Sequence, residues 1–244
     1  MSAISGGARR ALAIITTTVV IAAGSVLGTA SVAAAADLPS TPAPLLQRDS
    51  TVVTSDNLPT VQINDGYVWA QTTVGNIVYA VGSFSNVRPA GAAVGTNLTP
   101  RSNILAFDIT TGDLITSFAP TANGTVKSIA ASPDGSRLYI GGSFNNVNGQ
   151  TRWNFAALDA TTGALVPGFA PSVGGTGVYA ITTSGTSVYL AGLFTQANAT
   201  ARKNLAAFNS SNGALLPWAP TTDLQVDAMV MEPGNAKVII GGRF

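Results

Sequence analysis

From Tyr67 onward the chain alternates short apolar runs with short polar stretches rich in Gly, Asn, Asp, Ser and Thr. Between Arg137 and Pro171 one apolar run ends in Gly141-Gly142 and a polar loop follows. A second run then ends at Asp159, and Thr161-Thr162-Gly163 leads on to Phe169-Ala170-Pro171. Runs of this length, bounded by turn residues, read as β-strands. Four are predicted here, at about 125–131, 137–142, 153–159 and 164–169, with the Gly of Pro133-Asp134-Gly135 supplying a positive φ between the first two. No segment after the first 36 residues carries a 3.6-residue apolar period. The pattern predicts an all-β domain.

The same order of parts recurs in register. The Gly closing the second run is Gly82, Gly142, Gly192 and Gly242, at spacings of 60, 50 and 50 residues. Phe84, Phe144, Phe194 and Phe244 follow two positions later, and each polar loop then ends in Arg101, Arg152 or Arg202. Asn103, Asn154 and Asn204 come next, then Gly112, Gly163 and Gly213 in the turn, then Phe118, Phe169 and Trp218 before Ala-Pro. This is a tandem array. Four antiparallel strands per repeat predict a β-propeller with four-stranded blades at about 66–120, 124–171, 176–220 and 224–244. A sandwich of unrelated hairpins is the alternative, and it leaves the register unexplained. The Gly-Gly doublets read as places where adjacent blades approach closely. Three and a half blades are fewer than the four to eight that close a ring. The expectation is a truncated propeller, with closure by oligomerisation as the alternative.

Gly-Gly-x-Phe, Val-Asn-Gly, Arg, then Leu-Asp and Thr-Gly together resemble the delta-60-type repeats of secreted bacterial propellers. The Gly-Gly strand end is also similar to kelch-type blades, and Ala157-Leu158-Asp159-Ala160-Thr161-Thr162-Gly163 to quinoprotein-type blades. The likeness runs from about Tyr67 to Phe244, with Asn209 in place of Asp and an insertion from Pro89 to Pro100 as departures. It implies an architecture and no single activity.

Ahead of the array, Met1–Arg10 is basic, 11–30 is mostly apolar, and Ala34-Ala35-Ala36 offers small side chains for a signal peptidase. Residues 1–36 are read as an export signal, with a retained membrane anchor as the alternative. Residues 37–58 read as a Pro/Ser/Thr-rich linker, in which Thr51–Thr54 is a candidate closing strand. The mature chain is thus expected to be secreted, or held at the cell surface, with no membrane span. Without Arg9 and Arg10 it carries ten basic and eleven acidic residues, a net charge of about −1 that offers nucleic acid no basic surface. Cys and His are absent, which removes disulfides, thiolate metal sites and imidazole chemistry.

No acid/base constellation emerges, so the reading leans away from catalysis, with no cofactor and no metal. The candidate ligand-binding residues are Arg101, Arg152 and Arg202, able to grip carboxylates or sugar hydroxyls, and Trp153, able to stack on a sugar. An Arg that every blade repeats also reads as a structural tie between neighbouring blades. Asp108, Asp159 and Asn209 are expected to accept local backbone hydrogen bonds. The favoured function is a secreted scaffold whose loops bind a glycan or an extracellular protein. A fragment of a propeller enzyme (a sugar oxidase or quinone-dependent dehydrogenase) and a structural spacer are the alternatives.

Overall fold

The computed structural model describes residues 59–244. The export signal and most of the linker, including Thr51–Thr54, lie outside the described residues. Among the described residues there is no helix, and so none long and apolar enough to cross a membrane.

Four repeat units follow one another. The first contains β1 (Gln62–Ile63), β2 (Tyr67–Val74), β3 (Ile77–Ser83), β4 (Asn86–Arg88), β5 (Thr99–Pro100) and β6 (Ile104–Asp108). The second contains β7 (Thr125–Ala131), β8 (Arg137–Ser143), β9 (Asn146–Val147), β10 (Gln150–Thr151) and β11 (Phe155–Asp159). The third contains β12 (Val173–Ser184), β13 (Ser187–Ala197), β14 (Thr200–Ala201) and β15 (Leu205–Asn209), and the last β16 (Val226–Met231) and β17 (Val238–Gly242). The principal sheets are β2-β3-β6, β7-β8-β11, β12-β13-β15 and β16-β17, all antiparallel. Apart from the two-residue β14, which pairs with the far end of β13, each complete sheet therefore has three strands rather than the expected four. The segment expected to form the fourth is reduced to single bridges, Phe107–Leu114, Leu158–Leu165 and Phe208–Leu215. The reason is local: Pro167 brings no N–H, and Phe169 turns its own back to the Val166 carbonyl.

The middle strands β3, β8 and β13 are rich in buried apolar residues because both faces of the sheet are covered. The core accordingly lies between units. Tyr79, Ile104 and Phe118 of the first pack with Val126, Leu138 and Ile140 of the second. Tyr139, Phe155 and Phe169 meet Val178, Leu190 and Phe208 of the third. Leu205 and Trp218 continue the series onto Val226 and Ile240, Trp218 standing edge-on to Tyr189. Tyr hydroxyls add a repeated bond: Tyr79 donates to the Ala160 carbonyl and Tyr139 to that of Ser210, each in the next unit's turn. The first strands β2, β7, β12 and β16 lie beside one another in succession. The arrangement is propeller-like.

One irregularity recurs in every unit. The first strand carries a β-bulge opposite the end of the second, at Gly82, Gly142, Gly192 or Gly242 and the residue before it, so that Trp69, Lys127, Tyr179 and Asp227 are each skipped in the pairing. A Cβ at Gly142 would lie 2.2 Å from the Thr125 carbonyl oxygen of the bulged strand, and Gly82, Gly192 and Gly242 are as crowded. Gly141 does the separate job expected of the doublet. Its absent Cβ would meet Val178 of the following unit at 2.6 Å.

Candidate functional site

The three arginines all aim their guanidinium groups at backbone carbonyls of their own units. Arg101 is buried, and its Nη atoms donate to the carbonyls of Pro100 and Thr116. Arg152 donates to the Thr151 carbonyl, and Arg202 to those of Ala201 and Leu216. The expected tie between neighbouring blades is thus a tie within each unit.

The link between units falls to the Asn two positions later. Asn103, Asn154 and Asn204 adopt φ of 70°, 59° and 68°. Their Oδ1 atoms accept from the backbone N–H of Phe84, Phe144 and Phe194 at 2.9–3.2 Å. Their Nδ2 groups donate to the segment that opens the next unit: Ala122 and Gly124, Val173 and Gly175, Thr222 and Leu224. Asn suits this place because a short amide tolerates the left-handed region and offers both a donor and an acceptor. Its recurrence marks the position in the sequence, but nothing in the spacing shows that the amide bridges two units.

The residue just before this Asn is Ser102, Trp153 or Lys203, so here the repeat holds the backbone and varies the side chain. Trp153 stands 51% exposed over a cavity of about 310 Å³, with Asn123, Ser143, Asn145 and Thr176 among its walls. The Asn123 Oδ1 accepts from the backbone N–H of Asn145 and Asn146, its Nδ2 donates to Asn145 Oδ1, and Ser143 Oγ donates to the Thr176 carbonyl. No ionisable residue lines this cavity. An indole face beside fixed amides and hydroxyls can stack on a ring while exchanging hydrogen bonds with its substituents.

The equivalent cavity of the first unit, about 320 Å³, has Ser102 where Trp153 stands and Asp65 where Asn123 stands. Backbone N–H groups of Ser85 and Asn86 hold the Asp65 carboxyl below the usual carboxylate range. In the third unit the same place is closed by strand pairing, Gly174 with Gln196 and Gly175 with Phe194. The turn residues behave as their spacing predicts: Asp108, Asp159 and Asn209 each accept two backbone N–H groups from the residues that follow. The inserted loop is tied down rather than free, since Arg88 donates to the carbonyls of Ala92 and Ile63 and Gly95 N–H donates to Asn64 Oδ1. Among the described residues no three His, Cys, Asp or Glu side chains gather as metal ligands.

No protein-family model matches the chain, and no curated protein matches it. Among solved structures it is similar to the computationally designed Ika4 protein, with a TM-score of 0.51 and 14% identity over 78% of this chain and 94% of that one. It also matches U3-55K (TM-score 0.46, 10% identity, 70% of this chain) and the RRP9 WD40 repeats (TM-score 0.46, 11% identity, 71% of this chain). The matched part spans 45% and 46% of those two chains, under half of their length. The likeness to Ika4 is one of fold alone.

Proposed function

We propose that the chain is an exported β-propeller-type protein, a secreted or cell-surface scaffold that binds without catalysis, and that its ligand is a neutral glycan held at Trp153. The observation that carries this reading is the exposed indole over a cavity walled by amides and hydroxyls and free of ionisable groups. Sugars present an apolar C–H face to an aromatic ring and hydroxyls to amides, and need no charge from the site. The propeller part is supported by the core lying between successive sheets and by first strands gathered side by side. Export is supported by the basic, then apolar, then small-residue order of residues 1–36.

A glycan array probed with the full chain and with Trp153→Ala tests the reading. Binding to neutral oligosaccharides, lost in Trp153→Ala and kept in Arg152→Lys, is the expected result. Equal binding by Trp153→Ala, or no glycan bound at all, would refute it.

A further inference from the structure

The four bulges place one extra side chain per unit, and these converge. Trp69, Lys127, Tyr179 and Asp227, the skipped residues of β2, β7, β12 and β16, line one cavity of about 520 Å³ together with Gln225 and Arg243. A bulge re-aims a side chain away from the alternation of its strand. Here it fills the space between the first strands with four chemically different residues from one repeated position. The repeat conserves the geometry and leaves the chemistry free.

The chemistry has a definite sign. Lys127 Nζ lies 4.0 Å from the centre of the Tyr179 ring, in the cavity wall, where its ammonium can meet a ligand. Asp227 is already engaged, since Gln225 Nε2 donates to Oδ1 and Arg243 Nε stands 3.6 Å from Oδ2. Arg243 and Asp227 therefore offset one another, and Lys127 is the remaining cation of the lining. Trp69 is 53% exposed and braced edge-on by Tyr67 at 5.2 Å, which leaves an aromatic surface beside the cations. Burial lowers the affinity of Lys127 for its proton, and the Asp227 charge opposes that. The first effect reflects an ammonium partly withdrawn from water, where an anion gains more from it.

We infer that this cavity is a second binding site, distinct from the Trp153 pocket, for a small ring compound bearing one carboxylate. Lys127 holds the carboxylate, and Trp69 takes the face of the ring. An acidic sugar and an aromatic acid share this chemistry. The inference rests on the converging bulges and not on the glycan reading of Trp153.

Calorimetric titration of the full chain with glucuronate, benzoate and glucose tests it. One-to-one binding of glucuronate or benzoate is expected, with glucose at least about tenfold weaker because it cannot make the charge-assisted hydrogen bonds. Tighter binding of glucuronate would mark an acidic sugar, and tighter binding of benzoate an aromatic acid. Lys127→Met keeps the aliphatic stem and should lose about tenfold in affinity, while Lys127→Arg restores much of it. Asp227→Asn should bind more tightly than the parent. Equal affinity for glucose and glucuronate, no saturable binding of either carboxylate, or unaltered affinity in a folded Lys127→Met protein would overturn the inference.

Discussion

At the scale of single residues, the repeat is enforced by positions where only one side chain fits. Gly142 faces a carbonyl that a Cβ would overlap, so Gly142→Ala should cost about 1–3 kcal/mol, the range for overpacking. Gly174→Ala, where the nearest atom to a new Cβ is 3.5 Å away, should be close to neutral. Urea midpoints of the two variants check the contrast. Ala199 points the other way, for it holds φ of 61° where its counterpart in the second unit is Gly149 at 77°. Ala199→Gly should therefore stabilise the protein by roughly 1 kcal/mol. Asn154 is 4% exposed and bonds to Phe144, Val173 and Gly175. Its replacement by Ala leaves buried groups without partners at about 1–3 kcal/mol each and should be the most damaging of these changes.

At the scale of elements, the turns set how stability varies with pH. Asp108 and Asp159 are held below the ordinary 3.8 by hydrogen bonds from the residues after them, and Asp134 is lowered to about 2 chiefly by Ser132 and Ser136. Carboxyls depressed in the folded state stabilise it above their unfolded pKa, and that contribution is lost as pH falls through the folded values. Tyr79 and Tyr139 are raised above 10.0, chiefly by burial, so their contribution is full below pH 10 and lost above it. With no His in the chain, the melting temperature should be flat from about pH 5 to 9 and should fall below pH 4 and above pH 10. A melting series across pH measures this, and a step near pH 6.5 would contradict it.

The elements also mark what the sequence carried and what it did not. The apolar runs and the Asp-x-Thr-Thr-Gly turns were legible because a buried strand needs consecutive apolar residues and a tight turn needs its own acceptor. The β9–β10 hairpin was legible in principle, since Asn148-Gly149 is the dipeptide its turn requires, with φ of 50° and 77°. The bulges were not, because Val68-Trp69-Ala70 reads as ordinary strand. The extra residue exists only relative to its partner, and so the cavity built from Trp69, Lys127, Tyr179 and Asp227 had no signature. The Trp153 pocket was half visible: the indole stood out, while its walls come from three separate segments.

At the scale of the whole molecule, the units are held to one another by the same contacts that hold each together. Tyr139 spans two units through its hydroxyl, and Tyr139→Phe should cost about 1 kcal/mol without disturbing its own sheet. The first unit has a small apolar cluster of its own at Ala80, Phe84, Val87 and Leu105, but the larger clusters lie between sheets, so unfolding should be cooperative across the array. The most direct measurement is a set of nuclear Overhauser contacts in protein labelled at Phe, Val and Gly. Stacked units require a cross-peak between the rings of Phe155 and Phe208, whose centres are 5.4 Å apart, and another between Val178 methyls and Gly141. Both should appear together with the Phe155–Phe169 contact inside the second unit. Finding the Phe155–Phe169 contact alone, with both inter-unit cross-peaks missing, would show folded repeats that do not stack and would contradict the architecture described.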